Sequence, residues 1–182
     1  AFCKVFCEDR FMIEKPIPSK LSQTEFLAIF GGVFEKSYWI AKDFFMSEKE
    51  MNYDSADTLH KAMVKIFRAS SDKKKLNVLL AHPDLAGKLA QRGELTEESQ
   101  NEQNSAGLDQ LTSKEFLQFQ KLNTTYMQTH GFPFIIAVKG LTKLEILSQF
   151  KKRVNNSNTA EFNEACLQVE KIAYIRIKDI ID

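Results

Sequence analysis

Hydrophobic positions recur at helical spacing along most of this chain, and small polar residues mark where the helices begin. Ser22 and Glu25 form a capping box, with Leu21 and Phe26 placed as its hydrophobic staple, and that helix ends near Gly31 and Gly32. Ser37 is positioned to cap a second helix carrying Trp39, Ile40, Phe44 and Phe45. A third, over 55–69, sets Leu59, Met63, Ile66 and Phe67 at helical intervals. Ser71 or Asp72 opens a fourth with Leu76, Val78, Leu79 and Leu80, and Pro83 follows it. Thr96 reads as the N-cap of the next helix, with Glu97 and Glu98 in a first turn whose dipole favours acids. Thr112 and Glu115 box a long helix through Phe116, Phe119, Leu122 and Tyr126 that stops at Gly131. Thr142 and Glu145 cap another, a polar turn occupies 155–158, and a last helix runs over 160–181. Residues 132–138, Phe-Pro-Phe-Ile-Ile-Ala-Val, break the pattern, because Pro133 and the β-branched run predict extended backbone. The expected fold is all-α: a single compact bundle of about eight helices with one short extended apolar segment. Residues 1–20 are a lead-in or linker ending at the Pro16 and Pro18 break, and 21–182 form the domain.

Polar residues interrupt this order in two places. In the stretch HPDLAGKLAQRGELTEESQNEQNSAG at 82–107, His82 precedes Pro83, which pushes it out of the α region. On the helix after it, Ser99, Glu102, Gln103 and Ala106 share one face that would ordinarily be apolar. That face is either wet and idle or the lining of a pocket opposite His82. The second place is the last helix, where Arg176 falls in register with Phe162, Ala165, Cys166, Val169, Ile172, Ala173 and Ile180. A buried cation is costly unless paired, so Arg176 asks for an anion or carbonyls, and a structural ion pair or a ligand meets that demand equally.

Composition narrows the partners. The 182 residues carry 25 basic and 24 acidic side chains, and a net charge of +1 gives no footprint for nucleic acid or an anionic membrane. The run Lys73-Lys74-Lys75 reads as a solvated face, and His60 beside Lys61 as exposed. Three cysteines, Cys3, Cys7 and Cys166, make no disulfide framework and favour a reducing compartment. No histidine or cysteine pair matches Cys3 and Cys7 for zinc, so no metal is expected, and Cys166 reads as a small core residue. Neither a membrane span, a signal peptide nor a C-terminal peroxisomal address is present in this chain, so a cytoplasmic location is expected.

The blocks FGGVFEKSYWIA at 30–41, AHPDLAGKLAQRGELTEESQNEQNSAGLDQL at 81–111, HGFPFIIAVKG at 130–140 and EFNEACLQVEKIAYIRIKDI at 161–180 resemble the 2-oxo-4-hydroxy-4-carboxy-5-ureidoimidazoline (OHCU) decarboxylases. Their order and spacing match that family over 21–181. The departures are Tyr38, where proline is usual, and His130, where an aromatic is common; His130 could alter the pocket edge. The resemblance implies cofactor-independent decarboxylation to (S)-allantoin in urate degradation, commonly by a homodimer working after urate oxidase and hydroxyisourate hydrolase. It places catalysis on His82, Glu102 and Arg176. Substrate binding falls on Pro83, Ser99, Gln103 and Arg176, with backbone groups around Phe134, Ile135 and Ala137. Under that reading His82 handles protons, Glu102 receives ureido N–H groups, and Arg176 neutralises developing oxyanion charge. Because the substrate ring itself takes the electron pair, no cofactor is expected. The alternatives are a helical binding or interaction module on the same scaffold, and a hydrolase of a related ureido compound.

Overall fold

The computed structural model describes residues 15–47, 52–87 and 93–182. Cys3, Cys7 and most of the lead-in therefore lie outside the described residues, as do 88–92 within the longest motif. A 3-10 turn at Pro18–Lys20 leads into α1 (Gln23–Phe30), α2 (Trp39–Met46), α3 (Ala56–Ala69) and α4 (Asp72–Ala81). Then come α5 (Glu97–Ser105), α6 (Ser113–His130), α7 (Lys143–Arg153) and α8 (Asn158–Ile181). Among the described residues these eight helices and no strand make up the regular structure. None of them is long and apolar enough to cross a membrane.

The polar punctuation does what the sequence predicts. Ser22–Glu25, Thr112–Glu115 and Thr142–Glu145 close as reciprocal capping boxes, and Ser55–Thr58 adds a fourth in which threonine replaces the usual acid. Ser37 behaves differently: α2 starts after Tyr38 without a side-chain cap, and Ser37 offers only its carbonyl, to the Ile40 N–H at 3.2 Å. Ser37 is buried, and the helix takes Tyr38 as its N-cap instead.

The 24-residue α8 is the spine, with Ala165, Val169, Ala173 and Ile177 fully buried. Helices α3, α4 and α6 pack along it, α2 covers α3, α1 lies on α2, and α7 lies on α6. At one end of α8 a ring cluster fills the core: Phe134 stacks on Phe150 with centroids 3.9 Å apart, and Tyr126 meets both edge-on. Residues 132–138 form the extended strap the sequence predicts, begun by Gly131 in the left-handed region at φ 78°. Side chains replace strand partners along it, as Arg153 donates to the Ile135 carbonyl and the Ala137 N–H donates to Gln168. His60 is half-buried rather than exposed, because α3 lies against α8 and its Nε2 meets the Glu170 carbonyl at 2.8 Å.

Candidate active site

Helix α4 ends at His82, whose extended backbone (φ −75°, ψ 141°) is what a following proline demands. The ring folds back so that Nδ1 lies 2.8 Å from the Val78 carbonyl. A carbonyl only accepts, so in the neutral ring Nδ1 carries the proton and Nε2 keeps its lone pair. That Nε2 is buried and has no hydrogen-bond partner among the described residues. Burial pushes the imidazole below its ordinary value of 6.5; the Val78 carbonyl and Glu35 oppose the shift, and Arg176 adds to it. The group is thus a neutral, desolvated base.

Thr96 caps α5 and sets its predicted polar face inward: Ser99 and Gln103 are buried, and Glu102 is half-buried. Gln103 is held at both ends, accepting from the Ala86 N–H at 2.9 Å and donating to the Asp84 carbonyl at 3.3 Å. From α6, Asn123 and Gln120 donate to the carbonyls of Leu85 and Ala86. The loop after His82 is therefore pinned from two helices, which fixes the imidazole's approach.

Arg176 reaches this face from α8 and is 6% exposed. It donates bidentately to Glu102, Nε to Oε1 at 2.7 Å and Nη2 to Oε2 at 2.9 Å, the strong planar geometry of a guanidinium with a carboxylate. Nη1 donates to Glu35 at 2.8 Å and to the Gly32 carbonyl at 3.4 Å, while Nη2 also meets Ser99 Oγ at 3.3 Å. Glu35 is the residue sequence reasoning missed. It is 2% exposed and sits at φ 54° in the turn between α1 and α2, a conformation costing a non-glycine residue roughly 1–2 kcal/mol. The one signal available for it is an acid embedded in the motif around Gly31 and Gly32, answering the demand of Arg176 for an anion.

His82, Pro83, Ser99, Glu102, Gln103, Phe134, Ile135 and Arg176 all line one cavity of about 30 Å³. Ala137 is not among its walls; it faces a separate cavity of about 350 Å³ with His60 and Tyr174. On the other side of the ion pairs, Glu35, Thr96, Glu102 and Arg176 also line an outer cleft of about 470 Å³. The charged cluster is the wall between cleft and cavity. His130 lies away from both, with its Nδ1 2.9 Å from Asn158 Oδ1.

A family model described as OHCU decarboxylase matches residues 19–178. The chain belongs to this family. It is 38% identical to the 2-oxo-4-hydroxy-4-carboxy-5-ureidoimidazoline decarboxylase of Halalkalicoccus jeotgali, covering 89% of this chain and 88% of that one. It is 36% identical to the uric acid degradation bifunctional protein of Bacillus sp. (strain TB-90), where 89% of this chain matches 31% of that longer protein. Among solved structures, an (S)-allantoin synthase superposes with a TM-score of 0.73 at 32% identity, over 91% of this chain and 52% of that one. The chain thus spans about a third and about half the length of those two relatives. His82, Pro83, Ser99, Glu102 and Gln103, far apart in sequence from Arg176, are brought by the fold into one cavity with it.

Proposed function

We propose that this protein removes carbon dioxide from 2-oxo-4-hydroxy-4-carboxy-5-ureidoimidazoline and delivers (S)-allantoin, with His82 as the acid–base group. One observation carries the reading: the bare, buried Nε2 of His82 belongs to a ring that shares a cavity with Arg176 and Glu102. When the bond to the carboxylate breaks, its electron pair flows into the neighbouring ring imine, whose nitrogen takes a proton from water. The hydroxyl proton then moves to the ureido-bearing carbon, and the hydroxyl becomes the ring carbonyl. A neutral imidazole with its lone pair on Nε2 accepts that proton and returns it to carbon from one face, which sets the configuration. Arg176 neutralises the enolate-like oxygen, and Glu102 receives the ureido N–H groups. Pro83, Ser99, Gln103 and the backbone about Phe134 and Ile135 hold the ring, while Ala137, which faces the other cavity, takes no part. The substrate's own ring is the electron sink, so this scheme calls on no cofactor. Urate oxidase and hydroxyisourate hydrolase supply the substrate, and the working unit is a homodimer in the cytoplasm.

The test is a coupled assay. Urate, urate oxidase and hydroxyisourate hydrolase generate the unstable substrate in place, and circular dichroism follows allantoin. Fast appearance of the (S) enantiomer, lost in His82→Ala, is the expected result. Racemic allantoin formed at the spontaneous rate would reduce the protein to a binding module.

A further inference from the structure

The cluster around Arg176 holds more negative charge than the guanidinium needs. Two carboxylates, Glu35 and Glu102, bind one cation, and they are held in different ways. The Glu35 side chain is 1% exposed and both its oxygens are engaged. Its Oε2 accepts from Arg176 Nη1 at 2.8 Å and Ser99 Oγ at 3.1 Å, and its Oε1 accepts from Thr96 Oγ1 at 3.1 Å. Its turn lies in the left-handed region, so the backbone itself is bent to aim the side chain inward. The Glu102 side chain is 22% exposed, and the side-chain hydrogen bonds to its carboxylate come from Arg176. The cavity beside them, at about 30 Å³, has room for about one water molecule, far less than the proposed substrate fills. A wall must open for substrate to reach His82, and Glu102 is the part of that wall tied by one partner and already facing the outer cleft.

We infer that Glu35 is a positioning residue: it is the permanent counter-ion of Arg176, and its fixed charge lets Glu102 leave the guanidinium for the substrate. The inference rests on the decarboxylase reading above. With Glu35 in place, Nη1 stays anchored to Glu35 and Gly32 while Nε and Nη2 exchange the Glu102 carboxylate for substrate oxygen. Without its charge, Glu102 becomes the sole counter-ion of a buried arginine and holds the wall shut. Glu35 also acts on His82 across the cluster. The charged groups around that ring are Glu35 from the turn after α1, Glu102 from α5, Arg176 from α8 and Asp84 on its own loop. Of these, Glu35 favours the imidazolium and Arg176 opposes it.

Glu35→Gln keeps the shape and removes the charge, whereas Glu35→Asp keeps the charge and shortens the reach. In the coupled allantoin assay Glu35→Gln is expected to raise KM about 10-fold with kcat falling less than about threefold, since the lost term is access rather than chemistry. In an NMR titration the His82 ring of Glu35→Gln takes its proton at lower pH than in the parent, while Glu35→Asp restores most of that shift. A folded Glu35→Gln protein with KM within about twofold of the parent and an unchanged His82 titration overturns the inference, even if its melting temperature falls. If Glu35→Gln does not fold, Glu35→Asp decides alone: the retained charge should hold KM within about threefold of the parent. A KM raised about 10-fold there with the His82 titration unchanged would show that reach and not charge matters, and overturn the inference. The titration needs no turnover. A parent protein inactive on the generated substrate therefore sinks the decarboxylase reading, while the His82 shift still judges Glu35.

Discussion

Two arginines lie equally deep in this molecule and are built for opposite purposes. Arg153 is 5% exposed and Arg176 is 6% exposed. Arg153 meets one carboxylate, that of the fully buried Glu161, through Nε and Nη2, donates to the Ile135 carbonyl through Nη1, and lies over the Phe134 ring at 4.5 Å. Glu161 in turn accepts from Tyr126 and Asn156. Charge is balanced one to one and sealed, and the cluster fixes the strap that roofs the His82 cavity. Arg176 has two carboxylates, one of them opening on a cleft. Depth alone does not separate a structural ion pair from a working one; surplus charge beside an exposed edge does.

The sharpest break of this comparison is in activity. His82→Gln should lower kcat by about 10² to 10⁴, the range of a lost acid–base group, with a much smaller change in urea midpoint. In stability the order reverses. Glu161→Gln leaves Arg153 buried without a counter-charge and should cost about 3–5 kcal/mol, whereas Glu102→Gln should cost about 1 kcal/mol or less because Glu35 remains. Paired urea titrations measure both, and equal losses would erase the distinction between sealed and open clusters. Tyr126→Phe removes one donor to Glu161 and should cost about 1–2 kcal/mol while leaving KM alone.

The smallest effect is in pH. His82 and His60 are both held below 6.5 by burial, so the unfolded chain binds protons that the folded one refuses. Their share of stability is complete above 6.5 and declines as pH falls from there toward the lowered folded values. Urea midpoints between pH 7.5 and 5.5 should therefore drop in the parent and drop less in His82→Gln, by up to about 1.4 kcal/mol per pH unit for one proton. The slope remaining in that variant belongs in part to His60.

The elements were legible because their signals are local. Ser22, Thr112 and Thr142 each announce a helix within four residues, and the phase of Ser99, Glu102 and Gln103 follows once Thr96 is taken as the cap. Arg176 was legible as a cation in an apolar register. Glu35 was not, because a left-handed turn buries it and turns carry no periodicity. Arg153 closes the run Lys151-Lys152-Arg153, which has the composition of a solvated helix end; only the approach of α8 with Glu161 makes it a core residue. His60 was misplaced for the same reason, since its contact with the Glu170 carbonyl, far away in sequence, leaves it half-buried.

Thr96 ties two of these features together. Its oxygen accepts the Ser99 N–H that starts α5 and donates its own proton to Glu35. Unlike α1, α3, α6 and α7, helix α5 begins without a reciprocal box, so part of its first turn is secured through the charge cluster. The amide of Ser99 is consequently a built-in gauge of the pocket. Hydrogen–deuterium exchange at that single N–H would register whether the carboxylates have rearranged, with no chromophore and no turnover required.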